Sequence, residues 1–409
     1  MRCRFCNNEL KHKFIDLLNA PPSNSYLTKE QLNKPEVYYP LKVFVCEKCW
    51  LVQVDEYKRS DEIFSSEYAY FSSYSTTWLK HCADYVDMIV GRLNLSEKSQ
   101  IIEIASNDGY LLQYFKQKSI PCLGIEPTLS TAKVAIEKGI KTIIEFLTEK
   151  FATKLADDGC KADLILGNNV LAHVPDINDF VKGLKNLLKD TGTITIEFPH
   201  LLNLIKFNQF DTIYHEHFSY LSLTAVRKIF RSFGLDIYDV EEINTHGGSL
   251  RIYAKHSENN ALLISERVSF LLSKENEFCL TDLNTYRLFK EKVSCIKYDL
   301  LEFLLKVKKT GKKIVAYGAA AKGNTLLNYC GIKNDLIDFV VDASPYKQGK
   351  YLPGSHIPIV TENFINETQP DYVIILPWNL KDEIISQLSY IKRWNAKFVT
   401  AIPKLEIIL

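Results

Sequence analysis

Two pairs of cysteines near the N-terminus have the spacing of metal ligands. Cys3 and Cys6 form one Cys-x-x-Cys pair, and Cys46 and Cys49 form a second. Two such pairs can supply four thiolates to one tetrahedral zinc ion, which leaves no open coordination position for catalysis. The alternatives are coincidental cysteines or a thioredoxin-like redox pair, but neither pair lies in a βαβ pattern. We therefore predict one structural zinc ion.

Polar residues stand at the ends of three predicted strands between residues 100 and 170. Glu103 lies in the strand IIEIA and Gly109 in the turn after it, Glu126 ends GIEP, and Asn168 and Asn169 end ADLILGNN. The carboxyl ends of parallel strands form the crevice in which doubly wound sheets bind nucleotides. An acid after the second strand can accept hydrogen bonds from both ribose hydroxyls of an adenosine. From these residues alone, an ordinary set of α/β loops is the alternative.

The sequence of the turn after the first of these strands distinguishes between two cofactors, NAD and S-adenosylmethionine. It lacks the G-x-G-x-x-G fingerprint, because position 105 is Ala and only Gly109 remains as glycine. A dinucleotide pyrophosphate needs close approach of the backbone, so NAD is disfavoured. S-adenosylmethionine has no phosphate in this position and tolerates a looser turn.

A group of acid–base residues follows the predicted fifth strand, in the sequence TIYHEHFSYL. His215, Glu216 and His217 can provide a base and a group that orients it. The same residues would also suit an ordinary surface loop. A second metal site through His-x-His is a further alternative, although no third ligand follows.

The last hundred residues contain another candidate ligand site. The residues that open a helix after the predicted strand KIVAYGA are Gly318, Lys322, Gly323 and Asn324. Backbone N–H groups at a helix start attract phosphate, and the order Lys-Gly excludes a Walker A loop. Further candidates in and after the next strand are Asp342, Lys347 and His356. A structural domain without a ligand is the alternative.

The elements that must position these residues alternate between strand and helix. Such alternation from residue 100 to residue 199, and again from residue 312, predicts parallel sheets with helices on their faces. We predict an α/β protein with a small zinc-binding domain (residues 1–75), a central Rossmann-like domain (76–255), and a helical linker with a smaller Rossmann-like domain (256–409). A helix is expected over residues 76–95, where apolar residues recur every three to four positions.

Composition excludes several functional classes. Fifty Lys and Arg against 49 Asp and Glu leave a formal charge of +1, which argues against a general nucleic-acid binder. No apolar run reaches the length of a membrane span, and the N-terminal sequence MRCRFCNNEL has no apolar core of a signal peptide. We therefore expect a cytoplasmic protein without a membrane partner.

Taken together, the motifs resemble the zinc-containing sugar C-methyltransferases, such as those of tetronitrose and mycarose biosynthesis. The resemblance extends over essentially the whole chain, through EIASNDGYLL, GNNVLAHVPD, EYAYFSSYS, IYHEHFSYLS, HGGSLRIY and YGAAAKGNT. It implies that residues 76–255 form a class I methyltransferase domain, which transfers a methyl group from S-adenosylmethionine to C3 of an NDP-4-keto-deoxysugar. The nucleotide it favours is dTDP, with GDP or CDP as alternatives.

The resemblance also implies roles for individual residues. His217 matches the general base, and the other active-site positions match Glu216, Tyr214, His173 and Tyr68. The residues expected at S-adenosylmethionine are Glu103, Ala105, Asn107, Gly109, Glu126, Asn168 and Asn169. The C-terminal candidates are expected to hold the diphosphate and base of the nucleotide sugar.

Three other functions are compatible with parts of the sequence. A methyltransferase of the same build could act on another small substrate. A zinc-ribbon nucleic-acid methyltransferase is opposed by the neutral charge and by the lack of a basic aromatic stripe. A nicotinamide oxidoreductase is opposed by the lack of a full glycine fingerprint in the C-terminal region.

Overall fold

The computed structural model describes residues 1–57 and 71–408, whose strands form three sheets. In this part of the chain, no helix combines the length and the apolar character needed to cross a membrane.

The N-terminal sheet is antiparallel and has the order β1-β2-β3-β9. Its strands are β1 (His12–Ala20), β2 (Tyr39–Val45), β3 (Val52–Val54) and β9 (Ser219–Tyr220). The last strand comes from a distant part of the chain, directly after the predicted acid–base group. The sheet therefore ties that group to the cysteine-containing region.

The central sheet has seven strands in the order β10-β11-β8-β7-β4-β5-β6. Its strands are β4 (Ile101–Ile104), β5 (Cys122–Ile125), β6 (Thr142–Ile143), β7 (Ala162–Asn168), β8 (Leu188–Pro199), β10 (Leu235–Ile243) and β11 (Ser249–His256). The pairs from β6 to β8 are parallel, and β11 and β10 extend one edge of the sheet through antiparallel pairs. The carboxyl ends of β4, β5 and β7 therefore share one rim of the sheet.

Seven α-helices accompany this sheet in the described part of the chain. They are α1 (Thr76–Leu93), α2 (Leu112–Gln117), α3 (Leu129–Glu137), α4 (Glu149–Asp157), α5 (Ile177–Leu187), α6 (Leu201–Lys206) and α7 (Leu223–Ser232). The first of them agrees with the predicted helix because it has clear end signals. The Ser75 side chain accepts a hydrogen bond from the Trp78 N–H at its start, and Asn94 adopts a left-handed conformation at its end.

The C-terminal sheet has the order β14-β13-β12-β15-β16-β17 and is parallel except for its last strand. Its strands are β12 (Ile314–Tyr317), β13 (Val340–Val341), β14 (Ile359–Val360), β15 (Tyr372–Ile375), β16 (Lys397–Thr400) and β17 (Glu406–Ile408). The remaining described helices are α8 (Glu266–Glu277), α9 (Leu283–Arg287), α10 (Phe289–Lys309), α11 (Ala321–Cys330), α12 (Asn363–Thr368) and α13 (Lys381–Gln387).

The N-terminal sheet packs against both other regions. Phe14 in β1 stacks on Phe289 in α10 with ring centroids 4.7 Å apart. On the other side, Cys46 and Leu51 share a buried cluster with the interior of the central sheet. The predicted fold class is confirmed: the chain has a zinc-binding N-terminal region, a central Rossmann-like region and a C-terminal α/β region. The predicted domain limits stay predictions.

Candidate active site and metal centre

The four paired cysteines come together at one point. Their sulfur atoms all lie within 4.8 Å of one another, with 3.5 Å between Cys3 and Cys49 and between Cys6 and Cys46. A tetrahedral zinc ion with bonds of about 2.3 Å places sulfurs about 3.8 Å apart. The arrangement therefore fits one zinc ion with four thiolate ligands. The Gln53 side chain donates a hydrogen bond to the Cys3 sulfur at 3.3 Å.

The turn after β4 is built from left-handed backbone conformations. Ala105, Asn107 and Gly109 have φ values of +57°, +49° and +74°. A Cβ atom on Gly109 would lie 2.3 Å from the Ile140 Cδ1 atom. Glycine is therefore required at position 109 both by its conformation and by its neighbour.

The two predicted acids of this rim have different surroundings. The Glu126 carboxylate accepts hydrogen bonds of 2.8 Å from the backbone N–H groups of Asn107 and Thr128, so it shapes the turn. Neither oxygen of the buried Glu103 carboxyl makes a well-aligned hydrogen bond among the described residues. Burial raises the pKa of Glu103 well above its usual value, and the Tyr110 hydroxyl opposes part of this shift.

Asn168, the last residue of β7, and Asn169, directly after it, also present unused polar atoms. The Asn168 amide nitrogen and the Asn169 side-chain oxygen are buried and unpartnered among the described residues. Leaving buried polar groups unpaired costs about 1–3 kcal/mol each. Together with Glu103 on the neighbouring strand, they provide unpaired polar atoms that fit a polar ligand such as S-adenosylmethionine.

His217 has hydrogen bonds on both ring nitrogens. Its Nδ1 lies 2.9 Å from the Thr212 carbonyl oxygen, and its Nε2 lies 2.7 Å from the Tyr214 hydroxyl. A carbonyl can only accept, so Nδ1 carries the proton and Nε2 presents a lone pair, which accepts the tyrosine O–H. Burial lowers the pKa of His217 well below its ordinary value, and the neighbouring His173 lowers it further. His217 is therefore neutral, with its basic nitrogen on the Tyr214 side.

His173 belongs to the same cluster. Its ring lies edge-on to the ring of His217, with centroids 4.6 Å apart. Burial lowers the pKa of His173 to about 4, so this ring is also neutral at physiological pH. The structure thus brings together three of the predicted active-site residues, His173, Tyr214 and His217. Tyr68 lies outside the described residues.

Glu216 is held by the N-terminal region. The Asn24 amide donates to both carboxylate oxygens of Glu216 at 2.8 Å. The preceding residue, His215, lies 3.3 Å through its Nε2 from the Pro40 carbonyl oxygen. The group that orients the His217 ring through Nδ1 is the Thr212 carbonyl. The loop is thereby connected to residues 24–40.

Most of the predicted C-terminal ligand residues make contacts within the protein. Asn324 donates to the Ser23 carbonyl at 2.6 Å, Asp342 accepts from the Ala319 N–H at 2.7 Å, Lys347 donates to the Ala319 carbonyl at 2.9 Å, and His356 pairs with Glu36 at 2.9 Å. Gly318 and Gly323 lie against Pro377 and Leu376, where a Cβ atom would approach to 2.4 Å and 2.7 Å. These contacts join the C-terminal region to its neighbours.

Lys322 differs from these residues. Its ammonium group lies 4.8 Å from the centre of the Trp378 ring and donates to the Asn379 side chain at 3.0 Å. Within the described residues it has no carboxylate closer than 4.0 Å. An ammonium has three N–H donors. Lys322 therefore keeps donors and charge for an anionic ligand.

Sequence analysis missed two groups beside this lysine. The Trp378 indole donates to the buried Asp211 carboxylate at 2.7 Å, and burial raises the pKa of Asp211 to about 7. His246, in the sequence HGGSL, accepts a hydrogen bond from the Asn169 amide at 2.9 Å. A histidine before two glycines was the available signal for His246. Nothing local distinguishes Asp211.

Comparison with known proteins assigns a family model to each of three successive parts of the chain. Residues 3–64 match a family model for a zinc binding domain, residues 78–240 one for a methyltransferase domain, and residues 244–403 one for a C-methyltransferase C-terminal domain. The C-methyltransferase NovU of Streptomyces niveus is 32% identical over 406 residues, which cover 99% of this chain and 96% of that protein. The chain belongs to the C-methyltransferase family.

Solved structures resemble parts of this C-methyltransferase. The PH0226 protein of Pyrococcus horikoshii matches with a TM-score of 0.39 and 12% identity, over 46% of this chain and 95% of that chain. Magnesium protoporphyrin IX methyltransferase of Synechocystis, with bound SAH, matches with a TM-score of 0.35 and 16% identity, over 44% and 83% of the two chains.

Family membership settles the two cofactors and the coarse activity. The C-methyltransferase depends on S-adenosylmethionine and has a zinc-binding N-terminal domain. Both cofactor predictions are confirmed. The roles of individual site residues stay predictions.

Proposed function

We propose that this C-methyltransferase methylates C3 of an NDP-4-keto-deoxysugar. The observation that carries the proposal is the neutral His217, whose tautomer is held by the Thr212 carbonyl and whose Nε2 lone pair faces the cluster of Tyr214 and His173. A C–H next to a ketone is weakly acidic, so a positioned neutral base is what this reaction needs.

The chain's own residues supply proton transfer and charge stabilisation. His217 Nε2 takes the proton from C3, and the electron pair of that C–H bond forms the enolate, with negative charge on the C4 oxygen. In the free enzyme the Tyr214 hydroxyl donates to Nε2 at 2.7 Å. It releases this bond when the sugar C–H approaches, and its O–H then donates to the C4 oxygen. His173 and Tyr68 are further donors for that charge.

The rim of the central sheet would hold the methyl donor. S-adenosylmethionine supplies an electrophilic methyl group when bound. Glu126 would accept from the adenosine ribose, and the unpartnered atoms of Glu103, Asn168 and Asn169 would line its pocket. The turn of Ala105, Asn107 and Gly109 would pass alongside the cofactor.

The C-terminal region would hold the nucleotide. The free donors of Lys322 suit a diphosphate, which carries negative charge at neutral pH. The loop of Asp342 and Lys347 would take the nucleoside, with dTDP favoured over GDP and CDP. In this arrangement the sugar reaches from Lys322 towards His217.

Exchange of sugar protons tests the base without methyl transfer. The probe is dTDP-4-keto-6-deoxyglucose, which has an acidic C–H on each side of its ketone. With S-adenosylhomocysteine in D₂O, we expect the enzyme to exchange the C3 proton, read by NMR. His217→Asn removes the basic nitrogen and should abolish both exchange and methylation.

The matched control is His256→Asn. His256 lies 3.3 Å from the Leu188 carbonyl, at the start of β8 and thus at the opposite edge of the sheet. The His256→Asn variant should exchange the C3 proton at the wild-type rate. Exchange at C5 alone would contradict the assignment to C3, and unchanged exchange in His217→Asn would contradict the assignment of the base.

A further inference from the structure

Two residues with left-handed backbones are hydrogen-bonded to each other at the proposed site. Asn169, directly after β7, has φ of +58°, and His246, between β10 and β11, has φ of +54°. The Asn169 amide nitrogen lies 2.9 Å from His246 Nε2. Such conformations are energetically unfavourable for non-glycine residues and cluster where function requires them. The pair therefore calls for a functional explanation.

The Asn169 amide determines the tautomer of His246. An amide NH₂ group can only donate, so His246 Nε2 accepts and the proton of the neutral ring lies on Nδ1. That Nδ1 has no hydrogen-bond partner among the described residues. Burial lowers the pKa of His246 to about 4, and the charge of Lys322 adds to this effect. The ring is thus a neutral donor with an unused N–H.

The turn that carries His246 is bonded to the loop that carries His217. The Gln209 side chain donates to the Gly247 carbonyl at 2.8 Å. A Cβ atom on Gly247 would lie 2.3 Å from the Trp378 ring, so the tryptophan packs directly on this turn. The Lys322 ammonium group lies 4.8 Å from the centre of the same Trp378 ring, and its charge lowers the pKa of both histidines.

We infer that His246 is a further catalytic residue, whose Nδ1–H donates to the C4 oxygen as negative charge develops there. The inference rests on the proposed function. As the C3–H bond breaks, its proton goes to His217 Nε2, its electron pair forms the C3–C4 double bond, and the carbonyl π pair moves to the oxygen that His246 stabilises. Asn169 acts through His246, as a positioning residue that keeps the proton on Nδ1.

Three substitutions separate the two ring nitrogens of His246. In His246→Asn, the side-chain nitrogen can occupy the place of Nδ1, and asparagine is a residue that tolerates a left-handed backbone. The amide of Gln instead reaches the place of Nε2 and leaves no donor at Nδ1. Ala removes both. With the probe and conditions above, we expect His246→Gln and His246→Ala to slow exchange about 10²–10³-fold, the scale for losing one oxyanion donor.

The C3 exchange rate of His246→Asn should stay within about tenfold of the wild-type rate. Its loss should thus be one power of ten smaller than the loss expected for His246→Gln. Calorimetry with S-adenosylhomocysteine should give unchanged binding in all three variants, and melting temperatures should show that they fold. Exchange as fast in His246→Gln as in His246→Asn would overturn the inference, as would normal exchange with loss of methyl transfer alone.

Asn169→Asp tests the tautomer through pH. Charged or titratable groups that act on His246 are Lys322, Glu197 and His81. A carboxylate at position 169 would accept from Nε2 and raise the pKa of His246. Below that raised pKa both nitrogens carry protons and the Nδ1 donor is present; above it Nδ1 presents a lone pair. The exchange rate of the variant, relative to wild type, should therefore fall as pH rises.

A ratio that does not change with pH would overturn the role of Asn169. Calorimetry controls for its predicted contact with the methyl donor. If wild type exchanges neither C3 nor C5, the proposed function fails and the inference fails with it. If wild type exchanges C3 and the His246 variants do so equally fast, only the inference fails.

Discussion

Gly109 provides a quantitative test of the turn that follows β4. Its φ of +74° favours glycine, and a Cβ atom there would lie 2.3 Å from Ile140 Cδ1 and 3.3 Å from Ala135 Cβ. Gly159 is a matched control in the same region of the chain. Its φ is +83°, but a Cβ atom would meet nothing within 4 Å.

Both alanine substitutions force alanine into a left-handed conformation, but only Gly109→Ala also introduces steric crowding. An alanine in a left-handed conformation costs roughly 1–2 kcal/mol at either site. Crowding against Ile140 adds about 1–3 kcal/mol at position 109 alone, the range for overpacking a buried site. We therefore expect Gly109→Ala to lower the free energy of unfolding by about 2–5 kcal/mol and Gly159→Ala by about 1–2 kcal/mol.

Urea unfolding of both variants measures this difference. The relevant transition is the one that S-adenosylhomocysteine shifts, because a ligand stabilises the part of the protein that binds it. Gly109→Ala should also weaken binding of S-adenosylhomocysteine, whereas Gly159→Ala should not. Equal losses of stability in the two variants, within about 0.5 kcal/mol, would refute the steric argument.

Three further predictions concern the cofactors and the substrate. Cys46→Ser should lose zinc and have a lower melting temperature, since structural metal binding is part of the folding free energy. Metal analysis should show full zinc in the control Cys295→Ser, and full zinc in a normally folded Cys46→Ser would contradict the site. Glu126→Gln should weaken S-adenosylhomocysteine binding by about 1–3 kcal/mol in calorimetry, and unchanged affinity would count against the ribose contact. Because this carboxylate also accepts hydrogen bonds from two backbone N–H groups, the melting temperature of the variant without ligand is measured as a control. Lys322→Ala should raise the KM of the nucleotide sugar and leave that of S-adenosylmethionine unchanged; the reverse pattern would show that the two ligands were assigned to the wrong regions.

Local sequence patterns predicted many elements but not all. The helix expected over residues 76–95 is present as Thr76–Leu93, because its apolar spacing and its end signals lie within the segment itself. The longest N-terminal strand, His12–Ala20, was not predicted. Its pairing with β2 shifts register twice and Leu18 has φ of +66°, which breaks the alternation that marks a strand.

The sequence by itself determined the cysteine cluster, the strand–helix alternation and the polar residues on the rim of the central sheet. Each follows from patterns within short segments, such as the spacing inside each Cys-x-x-Cys pair and the periodicity of each element. Only the tertiary structure decided the state of the histidines. The contact of Asn24 with Glu216 joins residues 192 positions apart, and that of Asn169 with His246 joins residues 77 positions apart. Such hydrogen bonds depend on how three sheets pack together, and burial in that packing is what keeps His217 neutral.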